Sequence, residues 1–388
     1  MSKKIVLLLF YLLVPCCCLT LAQSSPATTS PRVPARLPPG FMDRWRKEPR
    51  SRKFSNLSVV TRGQVLSGAI GSDFRSFKTW QGSFNYQGVQ YPYTMAGNSP
   101  PRAGETHLDT SIIFLNFKFE GFVDRQGNNI VIDSNSIVQD VLGSPNFVAT
   151  EYTDGSGQFG DAVQRASFFN VAGRNWHTVL RQPRILKPVT ILVPFGQAQV
   201  FDANGNGEFV GIVNGDFLFS QFLTILQLED IKTQELAMLV SGNVFGDTFL
   251  GFHFALEVGP AVNPGIQTLL YVSWLNEDIA GPIFADATSL THEVSEWISD
   301  PFLTNVVPEY VIPNSGGLCQ NLLEVGDAIE FLDNQEVPVT VNGHLYHTQV
   351  EALLPWFSRE VPSNAFEGAY SYPDTSVLLA PSDPCPAR

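Results

Sequence analysis

A histidine and three carboxylates are grouped within residues 286–302, at His292, Glu293, Glu296 and Asp300. Read as a helix at about 100° per residue, His292 and Glu296 stand about 40° apart, with Glu293 and Asp300 near one edge of the same side. Leu290, Val294, Trp297 and Ile298 take the opposite side. Such a helix rests on a core and turns one nitrogen donor and three oxygen donors outward. The chemistry this allows is metal ligation. A hydrolytic zinc needs about three protein ligands, an open position for water and a carboxylate base within reach. His292 supplies nitrogen, Glu296 supplies oxygen one turn later, and Glu293 is placed to act as the base. A third ligand must come from elsewhere. Glu324 and Asp327 are the best candidates, because they follow closely and lie beside Gly326, which permits a tight turn. Asp300, two turns from His292, is expected to cap or brace the helix end. One His with several carboxylates is a hard ligand set, so calcium, manganese and magnesium stay open alongside zinc.

The H-E-x-x-H helix of zincins holds its metal with the first and fifth residues and uses the Glu as base. Here the fifth residue is Glu296. The competing reading of the same residues is a solvated helix face. Of the other histidines, His253 follows Phe249-Leu250-Gly251-Phe252 in a strand-like run, where it either lines a cleft or is a satisfied core or surface residue. His344 and His347 sit near a hairpin and could approach the metal, whereas His107 and His177 carry no motif of this kind. Asp202-Ala203-Asn204-Gly205-Asn206-Gly207-Glu208 resembles the start of an EF-hand loop, but Val213 stands where the bidentate Glu is needed. A hairpin turn is the better reading. The chain has no G-x-S-x-G elbow and no G-x-x-x-x-G-K-[ST] loop. A carboxylate pair for glycoside hydrolysis is singled out nowhere except at Glu293 and Glu296.

The elements that must position these residues are mostly strands. From about 55 to 285, apolar runs such as Ser111-Ile112-Ile113-Phe114-Leu115-Asn116-Phe117-Lys118-Phe119 are bounded by Gly, Asn and Asp. Helices are expected over 159–170 and 217–228, the latter also readable as a strand and turn. Pro301, Pro308 and Pro313 make the stretch after the motif helix a loop. Residues 337–346 read as a hairpin turning at Asn342-Gly343. The expected class is α+β: a strand-rich body with a few helices, one carrying the H-E-x-x-E motif. Residues 55–200 form a β-rich N-terminal region and 201–388 a zincin-like C-terminal region, with a soft boundary between them.

Residues 1–22 read as a signal peptide: Lys3 and Lys4, an apolar run from Ile5 to Leu13, and Thr20-Leu21-Ala22 before the cleavage point. Cys16-Cys17-Cys18 permits a lipoprotein reading, which Val14 and Pro15 fit poorly. Removing the two lysines with this segment takes the formal charge from −13 to −15, which argues against nucleic acid as a partner. No later run supplies about 18 uninterrupted apolar residues, so no transmembrane helix is expected in the mature chain. Cys319 and Cys385 remain, and two cysteines in an exported chain predict one disulfide. Residues 23–54, rich in Pro, Ser and Thr and then basic, are expected to form a disordered spacer.

The run Thr291-His292-Glu293-Val294-Ser295-Glu296-Trp297-Ile298-Ser299-Asp300-Pro301-Phe302, followed by Cys319-Gln320-Asn321-Leu322-Leu323-Glu324-Val325-Gly326-Asp327, resembles a largely uncharacterised family of secreted bacterial proteins. Their shared pattern is S/T-H-E-x-x-E-W-x-x-D-P, then C-Q and L-E-V-G-D. Asp161-Ala162-Val163-Gln164-Arg165-Ala166, Trp176-His177-Thr178, Leu250-Gly251-Phe252-His253 and Trp356-Phe357-Ser358-Arg359 are similar too, so the likeness covers most of the mature chain. Exordium-like plant proteins share a related H-E-x-x-E…D-P…E-x-G-D arrangement, similar in motif to zinc peptidases. The resemblance implies a coherent site to which Glu324 and Asp327 belong. The expectation is a secreted, zinc-dependent peptidase acting on peptide or protein substrates, with Glu293 as base and the strand around Gly251 to Leu256 as an edge for an extended peptide. The alternative is a non-catalytic extracellular protein whose carboxylates form a structural network or hold calcium.

Overall fold

The structure is a computed structural model that describes residues 31–47, 77–258 and 265–386. The signal-peptide reading of residues 1–22 and both ends of the expected spacer lie outside the described residues. The architecture is α+β and strand-rich. Its centre is an eight-stranded sheet whose main path uses β1 (Glu105–Val123), β2 (Val189–Val193), β3 (Glu235–Gly242), β4 (Gly251–Val258) and β5 (Gly265–Trp274), in the order β2-β1-β3-β5-β4. β2, β1, β3 and β5 run parallel, and β4 returns antiparallel along the edge. Every residue of β3 and β5 is buried. This is why Leu236-Ala237-Met238-Leu239-Val240 reads as a continuous apolar run: a parallel strand covered on both faces has no solvent side to alternate with.

Two apolar layers cover the sheet. On one face, α1 (Phe159–Ser167) and α3 (Thr288–Ser299) pack Ala162, Ala166, Leu290, Val294 and Trp297 over Ile112, Phe114, Val240 and Leu270. α1 and α3 approach closely at Gly160, where a Cβ would lie 2.7 Å from Ile298 Cδ1. On the other face, α2 (Gly215–Leu228) packs Leu218, Phe222 and Ile225 over Ile113, Leu239 and Tyr271. The Asn214 side chain accepts from the Phe217 N–H at 3.0 Å, an N-cap that starts α2 two residues before the expected Phe217. α1 ends at Ser167, three residues before the expected Asn170.

The sheet takes β1 and β2 from before residue 200 and β3, β4 and β5 from after it. The division placed near residue 200 therefore runs through hydrogen-bonded strands, because apolar faces from both halves close one core. Residues 31–47, read as part of a disordered spacer, are also different. Ala35–Arg36 pairs with Ala198–Asp202, and the helix Phe41–Lys47 buries Met42 and Trp45 against Phe245 and Phe284. Arg46 donates to Leu332 O and Asp333 Oδ1, at 3.0 and 2.6 Å. The basic count that suggested a solvated tail hides a short amphipathic helix carrying two large apolar side chains. Among the described residues, no helix is long and apolar enough to cross a membrane.

The loop at 202–208 joins two antiparallel strands, as a hairpin turn does. Asp202 accepts from the Gly207 N–H and from Arg125, at 3.0 and 3.1 Å. A second hairpin, Glu336–Val341 with His344–Gln349, turns at Asn342-Gly343, both with positive φ. Its second strand runs beside α3 and delivers Gln349 to the motif. Cys319 and Cys385 are joined by a disulfide.

Candidate functional site

The polar side of α3 does not face solvent. Glu293 and Glu296 are 3% exposed and Asp300 is 0% exposed. β4 closes this side from one direction, and the segment carrying Leu323 to Asp327 closes it from another, leaving a cavity of about 140 Å³. His253, His292, Glu293, Glu296 and Glu324 line its polar end, and Trp45, Phe249, Phe284 and Leu303 line its apolar walls.

Glu296 is the hub. Its Oε1 accepts from two successive backbone amides, Gly326 at 3.1 Å and Asp327 at 3.0 Å. Its Oε2 lies 3.2 Å from His292 Nε2 and 3.5 Å from His253 Nδ1. His292 Nε2 also lies 3.7 Å from Asp327 Oδ1 and 3.9 Å from Glu293 Oε1, while its Nδ1 faces Gln349 Oε1 at 3.2 Å. His253 Nδ1 lies 3.4 Å from Glu293 Oε2, and its Nε2 is 3.2 Å from the Asp300 carbonyl and 4.0 Å from Glu324 Oε2. Two glycines make room for this assembly. A Cβ on Gly326 would stand 2.6 Å from His292 Nδ1, and one on Gly251 would stand 2.7 Å from Glu293 Oε1.

Among the described residues, two sets of ligand atoms lie within 4.8 Å of one another: His292, Glu293 and Glu296, and His253, Glu296 and Glu324. Glu296 belongs to both. Of the four ligands expected from sequence, His292 and Glu296 fall in one set and Glu324 joins Glu296 in the other. Asp327 falls in neither set. Its Oδ2 accepts from Gln320 Nε2 at 3.1 Å while Oδ1 faces His292. Asp300 braces the helix end, with Oδ1 and Oδ2 accepting from the Thr304 and Asn305 amides at 2.9 and 3.0 Å. His347 is held by Asp286, Nδ1 to Oδ2 at 2.7 Å, and the His344 ring lies tilted against Tyr346 with centroids 4.5 Å apart.

Sequence reasoning weighed His253 as a cleft-lining or satisfied residue and not as a ligand, and it passed over Gln349 and Glu351. For His253 a signal exists in the strand alternation. Phe252, Phe254 and Leu256 pack toward α2, so Gly251, His253 and Ala255 share the face toward α3. A His between two small residues on a helix-covered face is a side chain given space. Glu351 is fully buried, neither carboxylate oxygen has a hydrogen-bond partner among the described residues, and nothing in its neighbourhood of the sequence marks it.

The electrostatics follow from burial without lysine or arginine partners for the central carboxylates among the ion pairs of the described residues. Burial works to lower the His253 pKa, but Glu324, Glu293 and Glu296 outweigh it and hold the ring well above its ordinary value. His292 is raised in the same way, by Glu296 and Glu293 against burial. Burial would raise Glu296, yet His292 and His253 depress it far below the usual carboxylate range. Burial raises Glu293, partly opposed by His292 and His253. Glu324 and Glu351 are pushed well up, by burial first.

These residues fit a cation. His292 Nε2 and His253 Nδ1 face only carboxylate oxygens, so a positive centre, proton or metal, must lie on each of those sides. Among the described residues Glu324 Oε1 is buried with no hydrogen-bond partner, a condition that costs about 1–3 kcal/mol, and more where the group is charged. Each set offers one imidazole nitrogen beside two carboxylates, and an imidazole donor suits a transition metal such as zinc better than calcium, which takes oxygen ligands. No protein-family model, curated protein or solved structure matches this chain.

Proposed function

We propose that the chain is an exported, zincin-like, metal-dependent hydrolase acting on peptide bonds, akin to the secreted H-E-x-x-E…L-E-V-G-D proteins it resembles. The observation that carries this reading is the convergence of a buried imidazole, His253, and a half-buried one, His292, on Glu296 Oε2 beside an apolar-walled cavity. Glu296 would hold the metal with His292 on one side or with His253 and Glu324 on the other, and Asp327 reaches toward His292. When bound, a zinc ion supplies Lewis acidity for the scissile carbonyl and makes water a better nucleophile near neutral pH.

Glu293 takes the proton from the attacking water at its carboxylate. Burial keeps that carboxylate's pKa raised, closer to the working pH of a general base. Gly251 opens the approach to Glu293, since any side chain there would collide with it. Among the described residues β4 pairs only with β5, and its other edge offers N–H and C=O groups along which an extended peptide can add as a further strand. Export by the N-terminal leader agrees with the Cys319–Cys385 disulfide.

A second reading has its own support. Glu296 accepts two amides and faces both imidazoles, so two protonated histidines would complete a structural network with no metal. The test is to purify residues 23–388, determine bound metal by elemental analysis, and compare the wild type with Glu293→Gln on a general protein substrate. Stoichiometric zinc, with hydrolysis lost in the variant, is the expected result. An absence of transition metal, with no hydrolysis by either form, would overturn the reading.

A further inference from the structure

The geometry points to Gln349 as the positioning residue that decides which nitrogen His292 offers to a metal, an inference that rests on the metal reading above. Gln349 is 4% exposed and lies at the end of the strand His344–Gln349, far in sequence from the motif helix. Its side-chain amide has one donor end and one acceptor end, and the surroundings fix which is which. Gly326 O can only accept, so the Gln349 NH2 must face it, at 2.7 Å. Gln349 Oε1 is thereby turned to His292 Nδ1, at 3.2 Å. An amide oxygen can only accept, so Nδ1 carries a proton whether the ring is neutral or charged. Nε2 is then the nitrogen free to give up its proton, and it is the one facing Glu296, Asp327 and Glu293.

The same residue ties three elements together. Its backbone N–H donates to Thr291 Oγ1 at 3.2 Å, so the hairpin is pinned to α3 one residue before His292. Through Gly326 O it is also pinned to the turn whose amides hold Glu296. The His292 ring is confined between Gly326, which has no room for a Cβ, and this amide. Partners that fix a ligating His in this way typically contribute about 10–100-fold to metal affinity.

The experiment uses the full exported chain with Gln349→Met, close in volume and unable to bond at either end, and Gln349→Glu, which keeps an acceptor toward His292. Zinc is titrated into each after chelator treatment, and the His292 Nδ1–H is followed by 15N NMR on histidine-labelled, metal-free protein, assigned with His292→Gln. The expected result is a loss of about 10–100-fold in zinc affinity for Gln349→Met, with most of it restored in Gln349→Glu, and loss of the protected Nδ1–H signal only in Gln349→Met. Unchanged affinity in Gln349→Met, or equal losses in both variants, would overturn the positioning role. If the wild type takes up no zinc, the metal reading fails, and the NMR arm still decides: a protected Nδ1–H that survives Gln349→Met refutes the contact, and its selective loss upholds it.

Discussion

His292 and His253 meet the same carboxylate from opposite elements, one from a helix and one from the sheet edge. Each ring turns one nitrogen to Glu296 Oε2 and the other to a neutral oxygen behind it. Behind His292 that oxygen is a side chain, Gln349 Oε1; behind His253 it is the backbone carbonyl of Asp300. The difference matters for how each ring is held. A side-chain acceptor can be removed by one substitution, whereas the carbonyl of Asp300 is fixed by the turn that its own carboxylate organises through Thr304 and Asn305. His292 is therefore adjustable by sequence, and His253 is fixed by the fold.

The comparison breaks most sharply at Asp300. Burial holds its carboxyl at about 7 against an ordinary 3.8, opposed by the Thr304 and Asn305 amides. The folded chain then binds this proton more tightly than the unfolded chain. Stability is thus fully present below about pH 4 and falls as pH rises toward 7, by up to about 4 kcal/mol in chelator-treated protein. Asp300→Asn should flatten that slope in thermal unfolding across pH 4–7, at the loss of one amide contact worth about 1–3 kcal/mol. An unchanged slope would remove Asp300 from the account.

Next comes the shared carboxylate. Glu296→Gln should weaken zinc binding by more than about a hundredfold, beyond what outer partners contribute, as read by titration. His292→Gln and His253→Gln separate the two sides. If Glu296 serves both, each should lower affinity by at least about tenfold, within the range of lost site contacts; full affinity in His253→Gln would leave the strand side purely structural. The glycines give the smallest effect. Gly326→Ala drives a methyl into a confined ring and should cost about 1–3 kcal/mol in denaturant unfolding. Gly251→Ala meets the flexible ends of Glu293 and Ser289 and should cost less. The reverse order would show that the helix side yields more readily than the edge strand.

Some of this was legible in the chain and some was not, for identifiable reasons. The apolar side of α3, at Leu290, Val294, Trp297 and Ile298, follows from helical period alone, and all four are buried in the same layer. The strand-rich class follows from runs such as Ile112 to Phe119, and the Asn342-Gly343 turn from its dipeptide. Burial of the polar side was not legible, because a His and carboxylates on a helix look the same whether water or a strand covers them. Here the covering strand is β4, which ends 30 residues before α3 begins and reaches it only by lying at the sheet edge. Gln349 was hidden for a similar reason: hairpin register, which brings it opposite Glu336 and beside His292, depends on three-dimensional packing and not on local pattern. The helix at Phe41–Lys47 was masked by its basic residues, which outnumber the two side chains that dock it.

The bond between Cys319 and Cys385 closes a ring over a sequence separation of 66 residues. Glu324, Asp327, Gln349 and Glu351 all lie inside that ring, while His253, His292, Glu293 and Glu296 lie outside it. One half of the constellation is thus carried on a covalent loop, and the other on the sheet and helix it packs against. Restricting such a loop in the unfolded chain is worth about 4 kcal/mol in the chain-entropy description. In a reducing compartment that constraint is lost, and the half bearing the Gly326 amides and Gln349 becomes an ordinary segment that must find its place unaided. Assembly of the two halves is therefore linked to thiol chemistry at a distance, because oxidation reduces the chain entropy lost when they come together.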